Sequence, residues 1–469
     1  MTRTPSLSRR NRTQQIPVAE ITTFPNAVRY LSGATNFERM RLVSYDADTF
    51  KLDRMRTLLE ALGNPQEQVR MVHVAGTSGK GSTVAMIASM LQGCQYAVGK
   101  YTSPHMVDIR ERIMINNEMI SRTDFVEMTH QVAEIASKQD LTPTYFELMT
   151  AIAFCYFAEQ AVDIAVIETG LGGRLDCTNV ITPEVSIITQ ISKDHTQLLG
   201  DSLEQIAAEK AGIFKRGVPA ITCRQEPEVE AKLREIAAEV DAPLRVIDEE
   251  IEFSYRFVAS SDRGPHTRVC LITDTSEFMH LPVPLPGEHQ AFNCGLALAA
   301  IDVLKGCGFS FEELPLHEGL AATVTPGRME LIWNQPRIMV DGAHNAASIR
   351  AVMRSVGAHI PYDSLVCVFG CCEDKDVDAL LEQIALGGDK VIFTKAKGNP
   401  RAADPQELQQ RFGQISGKMC QVAEKLPEAL DLAAKAVGRD DLICVTGSFY
   451  LVGETKKHLA ELEKKQSAH

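Results

Sequence analysis

MVHVAGTSGKGS, residues 71–82, is an apolar run that opens into a loop of three glycines, one lysine and two serines, and TVAMIASML follows it with helical texture. A buried strand, a tight small-residue loop and then a helix is how proteins commonly seat a nucleotide triphosphate. Small residues let backbone N–H groups come close to phosphates, and the helix N-terminus adds the positive end of its dipole. Lys80 is placed to reach the β- and γ-phosphate oxygens, and the hydroxyl of Ser82 or Thr83 to reach a magnesium ion. The match to G-x-x-x-x-G-K-[ST] is imperfect, because Val74 stands where the first Gly would be and Gly81 where Ser or Thr would be. A plain glycine turn before a core helix is the competing reading of the loop alone.

Outward from this loop the chain alternates short apolar runs with helical segments, which predicts an α/β protein with a parallel sheet. IAVIETG (164–170), VSIITQIS (185–192) and VPAITC (218–223) are near-continuous apolar runs, as strands covered on both faces should be. Between about 245 and 286 the texture changes to three runs that read as shorter, antiparallel strands, and 290–306 reads as an amphipathic helix. Pro326 and Gly327 break the helical pattern. Four further strand-like runs beyond them, RIMVDGAHN, SLVCVFGC, KVIFTKA and DLICVTGS, predict a second, smaller Rossmann-like α/β domain. The expected division is a disordered extension at 1–25, a nucleotide-binding domain at 26–323, a linker at 324–328 and a C-terminal domain at 329–469.

A chain of 469 residues needs more than one core. Its net charge of −13 argues against broad binding to nucleic acid or to acidic membranes, while leaving room for a local basic pocket. Twelve scattered cysteines, without a C-x-x-C pair, suit a reducing cytoplasm, and Cys367, Cys371 and Cys372 read as small residues at a strand end rather than a metal site. No apolar stretch approaches membrane-spanning length. Residues 1–20 carry Arg3, Arg9, Arg10 and Arg12 with no acid before Glu20, which leaves open a transit segment or a disordered extension.

Polar groups gather at the ends of apolar strands, where open α/β sheets bind ligands. Ser103 lies in TSPH after YAVGKY, Glu168 ends IAVIE, and Asp194 and His195 follow ITQIS. Singly, each has a plainer role: a turn before Pro104, a helix cap or arginine partner, a satisfied histidine at a core edge. Together, beside a phosphate loop, a hydroxyl, a carboxylate and an imidazole suggest a divalent-metal site, with the imidazole unusual for magnesium and compatible with manganese. GLGGRLDCTN (170–179) is too rich in glycine for a helix and offers Arg174, Asp176 and backbone amides to a substrate.

Ten segments then occur in order: HVAGTSGKGS, YTSPHMVDIRERI, YFELMTAIAF, VIETGLGGRLDCTNV, SKDHTQLLG, AAEKAGI, PGEHQAFN, PGRME, VDGAHN and VTGSFYLVGE. Over about residues 26 to 455 this resembles the folylpolyglutamate synthase / dihydrofolate synthase family of the Mur ligase superfamily. The resemblance implies a cytoplasmic, monomeric ligase that joins L-glutamate to dihydropteroate or a folate with ATP through an acyl phosphate. It also implies two Mg²⁺ ions, with Gly79, Lys80, Gly81, Ser82, Asn293, Arg328 and Asp341 at the nucleotide. Ser103 and Glu168 correspond to ligands of the first ion and His195 to a ligand of a second. Lys210 matches a carbamylated lysine, and Lys80, Lys210 and His195 form the implied catalytic set. Thr144, Tyr145, Phe146 and Glu147, with Leu175, Asp176 and Cys177, correspond to pterin-binding positions.

Three departures stand out: Ser78 where Asn is commoner, Ala346 where Pro is usual, and Lys193 beside the implied second-ion ligand. The segment 32–63 is longer than expected and has no evident role. Two rival readings are a ligase for a UDP-linked cell-wall precursor and a nucleotide-binding regulator without ligase activity. The GKGS loop and DGAHN disfavour the first, and the presence of Lys80, Glu168, His195 and Lys210 together disfavours the second.

Overall fold

The computed structural model describes residues 16–40, 52–261 and 264–467. Its first sheet has eight strands: β1 (Met71–Ala75), β2 (Val98–Tyr101), β3 (Ile113–Ile115), β4 (Glu118–Met119), β5 (Ile164–Glu168), β6 (Val185–Ile188), β7 (Ala220–Cys223) and β8 (Leu244–Ile247), in the order β4-β3-β2-β5-β1-β6-β7-β8. The run from β2 to β8 is parallel and only the β3–β4 edge is antiparallel. β1 and β5 are buried at every position, so their apolar runs need no polar face. β1 sits where the order turns from β5 on one side to β6 on the other. That switch point opens a crevice at the carboxyl ends of the strands.

The predicted antiparallel strands form a separate sheet of β9 (Glu252–Ser260), β10 (Gly264–Ile272) and β11 (Glu277–Pro282), in the order β11-β10-β9. β9 and β10 are nine residues each, longer than the parallel strands rather than shorter. Helix Glu288–Gly306 corrects the amphipathic expectation. It is buried on nearly every side, between the eight-stranded sheet, helix Lys80–Gly93 and β10, so it is apolar all round.

The second sheet contains β12 (Glu330–Asn334), β13 (Arg337–Asp341), β14 (Leu365–Phe369), β15 (Lys390–Phe393), β16 (Met419–Val422) and β17 (Leu442–Thr446), in the order β12-β13-β17-β14-β15-β16. It is parallel apart from β12. Helix Glu313–Ala321 is the last to pack on the first domain, through helix Lys80–Gly93, before β12 begins.

Residues 16–25, expected to belong to a disordered extension, are instead structured. Ile21 is buried and helix Phe24–Gly33 starts on a Thr23 cap; residues 1–15 lie outside the described residues. All twelve cysteines are free thiols. Among the described residues no helix is long and apolar enough to cross a membrane.

Candidate active site

Both sheets point their strand ends into one cleft of about 450 Å³. The first domain supplies the loops after β1, β2, β5 and β6, and the second those after β13, β14, β15 and β17.

The loop after β1 is held by contacts that only glycine permits. Gly76 has φ +147° and a Cβ there would overlap Thr189 Oγ1 at 1.8 Å; at Gly79, with φ +92°, it would overlap Asn293 Oδ1 at 2.2 Å. Gly79 is the N-cap of helix Lys80–Gly93 and offers no side-chain cap, so the first N–H groups of the helix are left for a ligand. Asn293, whose Nδ2 donates to Gln290 Oε1 at 2.9 Å, thereby braces the loop from the central helix. Lys80 Nζ arches back to Gly76 O at 3.2 Å and stands 4.0 Å from Glu168 Oε1. Of the two hydroxyls in the sequence expectation, Ser82 lines the cleft, whereas Thr83 is fully buried away from it.

Glu168 is buried at the end of β5, where its Oε2 accepts the Ser103 N–H at 3.2 Å. Burial raises its pKa, against the pull of Lys80. Lys210 is buried too and donates from Nζ to Gly76 O at 2.8 Å. Burial first, then the Lys80 charge, lower its pKa to about 7. These groups bring two lysine amino groups and one carboxyl group around the phosphate loop.

His195 takes φ +50° and turns into the cleft beside Asp194. Burial drives its pKa down to about 3, so the imidazole is neutral. From the second domain, Lys375 makes a buried ion pair with Asp194 Oδ1 and lies 3.5 Å from His195 Nε2, while His344 Nε2 is 3.6 Å from Asp194 Oδ2. Burial raises the Asp194 pKa, but His195, Lys375 and His344 outweigh it and hold the carboxyl well below its usual range. Lys193, suspected of perturbing this corner, is exposed; the cation here is Lys375. The hint for it in the sequence is the charged run EDKD (373–376), three residues past the buried strand β14.

Asp341 is buried and pinned, Oδ2 accepting from Met329 N at 2.9 Å and Oδ1 from Ala343 N at 2.8 Å. Arg328 lies over the Phe449 ring, 4.5 Å from its centroid, and both face the cleft.

At the other end of the cleft lie Thr144, Phe146, Glu147, Leu175, Asp176 and Cys177. Phe146 packs on Gly170, where a Cβ would come within 2.4 Å of the ring. Tyr145 is the exception, being buried outside the cleft lining with Arg112 over its ring. Four of these residues are held by bonds within the protein. Asp176 Oδ2 accepts the Gly170 and Leu171 N–H groups at 2.9 and 2.8 Å, which shapes the glycine loop. Cys177 Sγ meets Thr150 Oγ1 at 3.1 Å. Thr144 and Glu147 form a capping box on helix Tyr145–Glu159.

The segment 32–63 now has a place. Thr35–Glu38, Met40, Leu52 and Arg54 line the cleft, and Arg54 Nε donates to Glu147 at 2.9 and 3.1 Å. Residues 41–51 of the segment lie outside the described residues. Arg54→Ala is expected to strip the buried Glu147 carboxylate of its cation and destabilise the fold by about 2 kcal/mol, read as a lower urea midpoint. An unchanged midpoint would show that the pair holds nothing in place.

A first magnesium ion fits the corner of Ser82, Ser103 and Glu168. Mg²⁺ is commonly held by one or two carboxylates together with substrate phosphates and water. A second ion on His195 does not fit this arrangement, because the Lys375 ammonium already faces Nε2.

Comparison with known proteins places the chain in a family. The Mur ligase middle domain matches residues 74–301, and the Mur ligase glutamate ligase domain matches residues 327–449. A Bacillus subtilis dihydrofolate synthase/folylpolyglutamate synthase is 33% identical over 415 residues, 87% of this chain and 94% of the relative. The Mycobacterium tuberculosis folylpolyglutamate synthase complexed with ADP superposes with a TM-score of 0.84 at 32% identity, covering 94% of this chain and 98% of that one. Escherichia coli FolC in complex with DHPP and ADP gives 0.82 at 27%, covering 96% and 100%. The chain belongs to the dihydrofolate synthase/folylpolyglutamate synthase family of Mur-type, ATP-dependent ligases.

Proposed function

We propose that this protein activates the carboxylate of a pteroate or folate with ATP and couples it to the amine of L-glutamate. One observation carries the reading: the glycine loop, Lys80, Glu168 and Lys210 share a single cleft with Arg328 of the linker, with Asp341 of the second domain and with the Phe146 end. The phosphates sit on the N–H groups after Gly79, with Lys80 at the γ-phosphate. Asn293, Arg328 and Asp341 form the rest of the nucleotide seat, and the pteridine ring lies against Phe146 with its carboxylate directed toward the loop. Mg²⁺, when bound at Ser82, Ser103 and Glu168, supplies charge neutralisation at the transferring phosphoryl group.

A carboxylate is a poor electrophile, so phosphoryl transfer to one of its oxygens must precede attack by the amine. Both steps concentrate negative charge where Lys80 and the helix N-terminus already point. Lys210 fits carbamylation. Its amine is buried, neutral in good part at neutral pH, and next to Lys80, which would stabilise the resulting anion. The cleft closes between a first domain ending at 323 and a second beginning at 329, and that closure keeps water from the acyl phosphate. The protein acts as a monomer on small-molecule substrates.

The test is phosphate release with ATP, Mg²⁺ and glutamate, adding dihydropteroate, tetrahydrofolate or a UDP-muramyl acid in turn. Stimulation by either pteridine acid is expected. Stimulation by the UDP compound alone would reject the assignment, and no response to any acceptor would leave a nucleotide-binding regulator.

A further inference from the structure

The two domains meet again beyond the reacting groups, at His359, the last residue of helix Ala346–His359. Its Nε2 accepts the Gly287 N–H at 3.1 Å, and its Nδ1 lies 3.2 Å from the Pro265 carbonyl oxygen. A carbonyl can only accept and a backbone N–H can only donate, so these two partners specify one neutral tautomer with the proton on Nδ1. Phe257 closes the contact, its ring edge-on to the imidazole at 5.2 Å and 88°. One turn earlier, Ser355 fills the space beside Gly287. A Cβ there would lie 2.6 Å from Ser355 Oγ, and the φ of +112° independently demands glycine.

What the imidazole joins is more telling than the bonds themselves. Gly287 is the N-cap of helix Glu288–Gly306, which carries Asn293 to the phosphate loop. Helix Ala346–His359 starts directly after Asp341–Asn345, the second domain's loop at the same cleft. One side chain thus ties together the two helices whose near ends hold nucleotide-facing residues from opposite domains.

We infer that His359 is a positioning residue, an interdomain clasp that holds the nucleotide-binding arrangement together only while its imidazole is neutral. The inference rests on the nucleotide seat proposed above. Protonation would put an N–H on Nε2 opposite the Gly287 N–H, replacing a hydrogen bond with two opposed donors.

The charged and titratable neighbours do not offset this. On β10, His266 sets Nδ1 against Gly264 O and receives Arg268 Nε on Nε2. On helix Glu288–Gly306, His289 is close, and Glu288 is engaged by the Tyr255 hydroxyl of β9 at 2.5 Å. Burial lowers the His359 pKa, the Pro265 carbonyl raises it and His266 lowers it, with the net shift downward from 6.5. The clasp is therefore fully present above pH 6.5 and is lost as pH falls through the lower value of the clasped state.

The experiment uses the full chain and measures the Kd of a non-hydrolysable ATP analogue with Mg²⁺ by calorimetry, from pH 5.5 to 8. His359→Leu keeps the packing on Phe257 and removes both polar contacts. His359→Gln places an acceptor near the Nε2 position that does not titrate. The ratio of variant to wild-type Kd cancels the nucleotide's own protonation. For His359→Leu this ratio is expected to be roughly five at pH 7.5, from the loss of two hydrogen bonds, and to decrease as the pH is lowered below 6.5. His359→Gln is expected to bind like wild type at pH 7.5 and more tightly than wild type at pH 5.5. It carries the test should the leucine variant fail to fold. Hydrogen exchange of the Gly287 amide, with the analogue bound, should be slow in wild type at pH 7.5 and fast in His359→Leu. A ratio near one at pH 7.5, or one that does not change with pH, overturns the clasp. Because neither readout needs turnover, a chain inert toward every acceptor would refute the ligase assignment while leaving these results to decide the clasp.

Discussion

Lys80→Ala is expected to lower kcat/KM for ATP by roughly 10³-fold while leaving the protein folded, because a preorganised charge at the transferring phosphoryl group is lost. The side chain makes its contacts to the loop's own carbonyl groups and to Glu168, so its removal opens no core cavity. Lys80→Arg should recover little. A planar guanidinium cannot arch over Gly76 within the same space, and the loop's glycines leave the backbone no slack to accommodate it. Single-turnover phosphate release with saturating nucleotide separates chemistry from binding. Activity within tenfold of wild type would remove Lys80 from the role assigned to it.

Lys210→Ala is the second large effect, a loss of roughly 10²-fold in turnover with a smaller change in KM, as expected for a group that acts on the bound complex. Short carboxylic acids such as acetate should restore part of the rate by occupying the vacated anion position. The pH dependence has a definite sign. With the amine pKa lowered to about 7, half of it is neutral near that pH, and only the neutral amine attacks CO₂. Carbamate occupancy therefore falls as the pH drops below 7, and stripping bicarbonate from the buffer should reproduce the fall at constant pH. Incorporation of ¹³CO₂ at Lys210, followed by NMR, reports the carbamate directly. An unchanged rate in Lys210→Ala, with no ¹³C signal in wild type, would dismiss it.

Much of the site was legible in the sequence, for a local reason. Phosphate loops, helix caps and strand-end carboxylates are built from neighbours in the chain, so Gly79–Ser82 and Glu168 stand out as candidates by spacing, whereas His195 gained its role only from the resemblance. The glycines at 76 and 79 are needed because Thr189 and Asn293 crowd them. That requirement leaves its mark in sequence even though its cause lies more than a hundred residues away.

Other features depend on partners far apart in the chain. Lys375 lies 181 residues from Asp194, and the pair exists only because β14 and β6 end on facing lips of one cleft. Arg54 reaches Glu147 across 93 residues, which gives the unexplained segment 32–63 a task. The same packing demoted Tyr145 from the cleft, since neighbours on a helix face different directions. Helix Glu288–Gly306 misled by periodicity, because an element enclosed on all sides has no polar face to display.

The chain's linear order by itself determined the fold class, the two α/β domains and the phosphate loop, because strand burial, helix texture and turn chemistry are properties of short windows. Only the tertiary structure decided which cation stands at His195, what Arg54 holds and how His359 bridges the domains. Electrostatics, burial and hydrogen bonding depend on distance in space, and the folded sheets alone set those distances.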